Sequence, residues 1–268
     1  MNGELLAAEK RLREILAGYF PLAIAVSGGV DSLTLATVAH RTLPLAPLMI
    51  HAVSPAVPAA ATARVREMSE REGWDLREIS AGEFADPDYR ANPYNRCYFC
   101  KSNLYRSIGA ITTRRIASGA NLDDLSDYRP GLKAASEQNV VHPFVDAGID
   151  KTTIRQIARA HQLQHYAELP AQPCLASRVE TGLPIRAGDL NFIDDFECEL
   201  KRTLGELSTV RVRIRNSGVY IELGELPDQE TEPILKEKAR HFCQKAGYQF
   251  IAITSYRQGS AFIRNKAI

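Results

Sequence analysis

Apolar positions along this chain fall into short continuous runs separated by helical patterns. Leu22-Ala23-Ile24-Ala25-Val26 is one such run, of strand length, and it stops at Ser27-Gly28-Gly29 before a helical pattern from about Asp31 to Arg41. Leu45 to Val53 predicts a second buried strand, Ala59 to Glu72 a helix, and Leu76 to Ile79 a third, shorter strand. The polar loop Asp86 to Asn95 leads through Arg96-Cys97-Tyr98-Phe99-Cys100-Lys101 into a helix ending near Ile111, followed by a fourth strand, Ile116 to Gly119. Val140, Val141, Pro143 and Phe144 predict a last strand segment, and Thr152 to Gln162 a helix with Ile154, Ile157 and Ala158 on one face. Strands alternating with helices predict an α/β fold: a Rossmann-like parallel sheet covered on both faces, with ligands at the carboxyl ends of its strands. Ser54, just past the second strand, therefore belongs near a ligand.

Glu168 to Arg178 carries two prolines in a stretch that cannot be regular, which divides the chain into domains 1–170 and 171–268. The second is expected to be a small α/β module: a helix Ala187 to Leu204, a hairpin Val210 to Leu223 turning at Asn216-Ser217-Gly218, a helix Ile234 to Gly247 and a strand Phe250 to Thr254. In the hairpin, Arg211, Arg213 and Arg215 alternate with Val210, Val212 and Ile214 and so share one face. Two guanidiniums on one face suit a phosphate, and a solvated basic face is the other reading, with Arg215 the solvated member.

Composition narrows the class. Of 268 residues, 45% are hydrophobic and 24% charged, as in ordinary globular proteins. Thirty-three basic against 32 acidic residues give a net charge of +1, which speaks against a nucleic-acid partner. Met1 to Phe20 reads as an amphipathic helix rather than a signal peptide, and no apolar stretch approaches membrane-spanning length, so the cytoplasm is the default location. Five cysteines without an export signal are expected as thiols or ligands rather than disulfides; Cys198 and Cys243 sit in helical patterns and read as packing residues.

The chemistry begins at Ser27-Gly28-Gly29-Val30-Asp31-Ser32. Two glycines permit close backbone approach, and a helix start adds free N–H groups, which together make a phosphate cradle. The hexapeptide ends in neither Gly-Lys-Ser/Thr nor G-x-G-x-x-G. It resembles the PP-loop of ATP pyrophosphatases, which cleave ATP between its α and β phosphates. That resemblance implies that Ser27, Gly28, Gly29 and Ser32 hold the pyrophosphate, that Asp31 lies near its Mg²⁺, and that main-chain groups at Ser54 meet the adenine. Asp123, Asp124 and Asp127, past the fourth strand, repel one another unless a cation or Arg129 neutralises them, and their position favours an Mg²⁺ or ATP contact over a merely solvated loop.

With this loop, Arg96 to Lys101, Asp123 to Gly131, Pro173-Cys174-Leu175-Ala176-Ser177-Arg178 and Val210-Arg211-Val212-Arg213 in order, the chain resembles the LarE family of ATP-dependent sulfur transferases almost end to end. The resemblance implies adenylation of a carboxylate of pyridinium-3,5-dicarboxylate mononucleotide and replacement of AMP by sulfur, giving the thiocarboxylate ligands of a nickel-pincer nucleotide. Cys174 would present the sulfur, with Arg178 favouring its thiolate. Ser177 and Arg178 would also bind substrate, Arg211 and Arg213 would take its phosphate, and Glu197 with Glu222 would form a second metal site. Cys97, Cys100 and Cys174 also resemble the three-cysteine sites of thiolation enzymes that carry a 4Fe-4S cluster, so a sacrificed Cys174 and a cluster-borne sulfur both stay open. The family further implies a homo-oligomer, a trimer or hexamer. Rival readings are a tRNA thiolation enzyme, an amide-forming ligase that would not need Cys174, and an ATP-binding sensor that releases no pyrophosphate.

Overall fold

The computed structural model describes residues 3–126, 129–205 and 208–257; Asp127 lies outside them. The chain divides into two units, Met1–Asp86 with Asn95–Ala171, and Pro87–Tyr94 with Gln172–Ile268. Segment 87–94, expected in the first domain, thus belongs to the second unit. Its fully buried Asn92 donates from Nδ2 to the carbonyls of Glu180 at 2.8 Å and Leu183 at 2.9 Å, contacts no local pattern encodes.

The first unit holds β1 (Leu22–Ala25), β2 (Leu48–Ala52), β3 (Asp75–Ile79) and β4 (Arg115–Ser118) in one parallel sheet of order β3-β2-β1-β4. Its longer helices, among the described residues, are α1 (Gly3–Gly18), α2 (Val30–Thr42), α3 (Ala59–Glu72), α4 (Arg96–Ile111), α5 (Pro130–Glu137) and α6 (Lys151–Ala160). Side chains alternate across β1: Leu22 and Ile24 join a core with Leu12, Leu16, Val38 and Ile157, while Ala23 joins Ile50, Tyr105, Ile108 and Ala135 on the other face. Burial on both faces is why β1 reads as an unbroken apolar run.

Two local expectations change. Val141 makes a single parallel bridge to Ala117 rather than a strand, because Pro143 has no N–H for a ladder and instead opens a short helix, Pro143–Asp146. Helix α4 begins already at Arg96, so Cys97 and Cys100 lie in its first turns rather than before it.

The second unit is built on β5 (Val210–Arg215), β6 (Gly218–Leu223) and β7 (Phe250–Ser255), with β5 antiparallel and β7 parallel to β6. Helices α7 (Ala187–Leu204) and α8 (Thr231–Lys245) complete it, joined through Phe196 and Phe242, whose rings stack with centroids 4.5 Å apart. Cys243 is fully buried, and burial pushes its thiol up to about 11, as befits a packing residue. Among the described residues, no helix is long and apolar enough to cross a membrane.

Candidate functional site

Strand order reverses between β1 and β4, and open α/β sheets bind ligands outside the strand ends at such a point. The chain segments there are the loop after β1, through Ser32, and the loop after β4. Ser32 Oγ is the knot of the first: it accepts from Ser27 N at 3.0 Å, lies 3.1 Å from Ser27 Oγ, and donates to the Gly29 carbonyl at 3.1 Å. Gly28 has φ +78°, and a Cβ there would sit 2.5 Å from the Ala61 carbonyl oxygen of α3, so only glycine fits. Gly119 brings the second loop against the first, since a Cβ on it would lie 2.9 Å from Ser32 N. No side chain caps α2, which leaves its first-turn N–H groups available to an anion. Ser54 is used locally, its Oγ accepting from Ala56 N at 3.2 Å.

The charged groups gather around Asp31. Asp31 Oδ2 accepts from the Lys151 ammonium, while its Oδ1 is buried without a hydrogen-bond partner. Burial pushes the Asp31 carboxyl above its ordinary value, and the Lys151 charge offsets this only in part. Asp123 Oδ2 accepts from Lys151 N at 2.9 Å; Asp124 Oδ2 accepts from Asn121 N at 3.1 Å, and its Oδ1 lies 2.7 Å from Arg129 Nη2. Arg129 does meet the acidic loop, as its repulsion required. The oxygens of Asp123 and Asp124 named here are spent on shaping that loop, and Asp31 keeps the orphaned one.

A buried histidine ties the loop to its neighbours. His51, 1% exposed, lies with Nδ1 2.8 Å from the Val26 carbonyl and Nε2 2.9 Å from Thr62 Oγ1, an arrangement that a neutral ring satisfies by donating from Nδ1 and accepting at Nε2. Burial lowers its pKa below the ordinary 6.5. The unfolded chain therefore binds more protons below that value, and folding stability falls as pH drops through it. We expect His51→Gln to flatten the stability profile between pH 7 and 5 by up to about 1.4 kcal/mol per pH unit. Chemical denaturation of both proteins across that range checks this, and an unchanged slope would mean that His51 does not titrate with unfolding.

In the second unit, Cys174 is half-buried and caps the turn Leu175–Arg178. Its carbonyl accepts from Ser177 N at 3.0 Å and Arg178 Nη1 at 3.1 Å. Arg178, 2% exposed, also donates to the Pro173 carbonyl at 2.6 Å and Ser177 Oγ at 3.0 Å, and grips Glu197 through Nε at 2.9 Å and Nη2 at 3.1 Å. Burial works against its charge, and the Glu197 carboxylate more than restores it, so its pKa is raised. Arg178 thus holds the backbone on which Cys174 is mounted.

The arginine face of β5 is buried rather than solvated, Arg211 at 3% and Arg213 at 6% exposure. Arg213 donates from Nε to Glu222 at 2.9 Å and from Nη1 to the Ser177 carbonyl at 2.7 Å. Arg215, expected to be solvated, reaches Glu222 Oε1 at 2.7 Å, and the Arg211 guanidinium lies 5.6 Å from the Tyr256 ring centroid. Burial lowers the pKa of both Arg211 and Arg213, to which Arg178 adds repulsion at each. The guanidiniums of Arg178, Arg211, Arg213 and Arg215 gather here with the carboxylates of Glu197 and Glu222, and clustered guanidiniums suit an anionic ligand. Glu197 and Glu222 spend their oxygens on these arginines, so a metal ion there would have to displace a guanidinium.

Over 218 residues, 80% of this chain and 80% of the relative, the sequence is 37% identical to the uncharacterized protein slr1717 of Synechocystis sp.. The chain belongs to the slr1717 family. The chain is also similar to the uncharacterized protein MJ0830 of Methanocaldococcus jannaschii, 27% identical over 219 residues (80% of this chain, 81% of that protein), and to the pyridinium-3,5-bisthiocarboxylic acid mononucleotide synthase of Lactiplantibacillus plantarum, 24% identical over 194 residues (71% of this chain, 69% of that protein). No protein-family model matches the chain.

In this slr1717-family chain the structure brings Ser27, Gly28, Gly29, Asp31 and Ser32 together in one unit with Asp123, Asp124 and Arg129, and Cys174, Ser177, Arg178, Arg211 and Arg213 together in the other. Sequence reasoning missed Lys151 and His51. A signal for Lys151 was present: a lysine in the first turn of a helix opposes the macrodipole, which asks for a compensating acid nearby.

Proposed function

We propose that the chain is an ATP-dependent sulfur transferase. It adenylates a carboxylate of pyridinium-3,5-dicarboxylate mononucleotide, releases pyrophosphate, and converts the carboxylate to a thiocarboxylate with sulfur delivered at Cys174. The observation that carries this is the mount of Cys174, a half-buried thiol on a turn clamped by buried arginines. The similarity to the pyridinium-3,5-bisthiocarboxylic acid mononucleotide synthase of Lactiplantibacillus plantarum supports the substrate class.

In this reading the first unit supplies activation. The loop from Ser27 to Ser32 cradles the pyrophosphate, and Asp31 holds Mg²⁺. The residues fit that ion: a hard cation takes oxygen ligands, and Asp31 Oδ1 is buried and unpartnered. When bound, the ion neutralises charge on the phosphates. The second unit supplies sulfur. The Cys174 thiolate attacks the acyl adenylate and displaces AMP, forming a thioester. Loss of the Cα proton then breaks the Cβ–Sγ bond, whose electrons leave on the sulfur, giving the thiocarboxylate and dehydroalanine. Arg211 and Arg213 would hold the phosphate of the mononucleotide.

The cluster-borne alternative has one observation in its favour: Cys97 and Cys100, three residues apart on α4, share a helix face. Cys174, the third cysteine of that set, belongs to the other unit. Intact mass before and after one anaerobic turnover, with iron content, tests both. Loss of one H₂S equivalent at Cys174, without iron, is the expected result. Unchanged mass with iron and acid-labile sulfide would replace it with the cluster route, and pyrophosphate release stimulated by tRNA or ammonia would overturn the function.

A further inference from the structure

We propose that Lys151 is a placeholder cation: its ammonium holds Asp31 until a divalent ion takes that carboxylate, and then moves to the polyphosphate in the adjoining loop. This rests on the nucleotide reading above. Lys151 is the first residue of α6, where the cap is Asp150, whose side chain accepts from Thr153 N at 2.7 Å. A cation in that turn faces the positive end of the helix, so its placement there asks for a compensating partner, and the partner is Asp31. The backbone root of Lys151 is fixed by Asp123 Oδ2 at 2.9 Å, while its side chain remains 33% exposed on a flexible stem.

Asp31 is half committed. Oδ2 is taken by Lys151, and Oδ1 is buried and unpartnered, so a metal ion can enter at one oxygen while the ammonium still holds the other. An ammonium and a divalent ion on one carboxylate repel, and the ammonium must leave. The uncapped start of α2, carrying Asp31 itself, is where a polyphosphate would lie, which puts an anion beside Asp31 for the displaced charge. Metal alone must therefore displace Lys151 without return, whereas metal with nucleotide gains a Lys151–phosphate contact. The two ligands become coupled through one side chain.

Calorimetric titration with Mn²⁺ alone, and with Mn²⁺ plus α,β-methylene ATP, tests the exchange in wild type, Lys151→Met and Lys151→Arg. Lys151→Met should bind Mn²⁺ alone about fivefold more tightly and, once saturated with Mn²⁺, should bind the nucleotide about fivefold more weakly, since one charge contact is absent from each step. Lys151→Arg, which keeps the charge, should retain the wild-type order. Equal or weaker Mn²⁺ binding by Lys151→Met, or nucleotide binding unchanged from wild type, would overturn the exchange while leaving the nucleotide reading intact. Wild type that binds Mn²⁺ but not the nucleotide would overturn the nucleotide reading, and with it the proposal. Should Lys151→Met fail to fold by circular dichroism, Lys151→Gln carries the same comparisons.

Discussion

Given ATP, Mg²⁺ and the dicarboxylate mononucleotide, Cys174→Ala is expected to release pyrophosphate in a first turnover at close to the wild-type rate and to form no thiocarboxylate. Activation is assigned to the first unit and Cys174 belongs to the second, where its carbonyl carries the contacts to Arg178 and Ser177. Removing the thiol therefore leaves the mount in place and takes away the reacting atom. Loss of a nucleophile in covalent enzymes costs on the order of 10⁶ in rate, and here the sulfur itself is missing as well. Pyrophosphate and thiocarboxylate are counted separately by enzyme-coupled assay and mass spectrometry. Thiocarboxylate formed by Cys174→Ala would remove Cys174 from the reaction, and pyrophosphate lost together with thiocarboxylate would show that Cys174 is needed for activation too.

The second large effect is on stability. Glu197→Ala should destabilise the protein by about 3–5 kcal/mol, because it strands a buried guanidinium. Glu197 takes two donors from Arg178, at 2.9 and 3.1 Å, and the Val212 amide at 3.0 Å. Arg178 is 2% exposed and cannot turn to water without opening the Cys174 turn. A shift in melting temperature of at least about 10 °C follows for a unit of this size. Replacing both partners, Arg178→Met with Glu197→Leu, should recover much of that loss, since apolar groups of similar volume bury without a charge penalty. A single-variant loss below about 1 kcal/mol would mean that the pair is solvated, as surface pairs are. Sulfur transfer by the double variant should stay low even where stability returns, because Arg178 holds the carbonyls of Pro173 and Cys174.

Much of the first unit was legible because its constraints are local. An unbroken apolar run stopping at two glycines dictates a strand, a tight turn and a helix start, and Gly28 does adopt a positive φ against Ala61. The parallel sheet followed from the alternation of runs, and α3 keeps the very limits that periodicity set, Ala59–Glu72, as α7 of the second unit does at Ala187–Leu204. Local reasoning failed where a residue's role depends on what arrives beside it. Alternation in β5 placed the arginines on one face but could not tell a solvated face from a buried one, since that is decided by Glu197, Glu222 and Tyr256. Pro143 reads as part of a strand until its missing N–H is set against a ladder that needs one.

The sequence by itself therefore determined the α/β fold and the tight glycine turn between β1 and α2, because backbone freedom and hydrophobic period act within a few residues. Only the tertiary structure decided that Lys151 stands on Asp31, that Arg178 is clamped by Glu197, and that 87–94 joins the second unit. A charge finds its partner through space, and the energy of pairing depends on burial that only the closed chain creates.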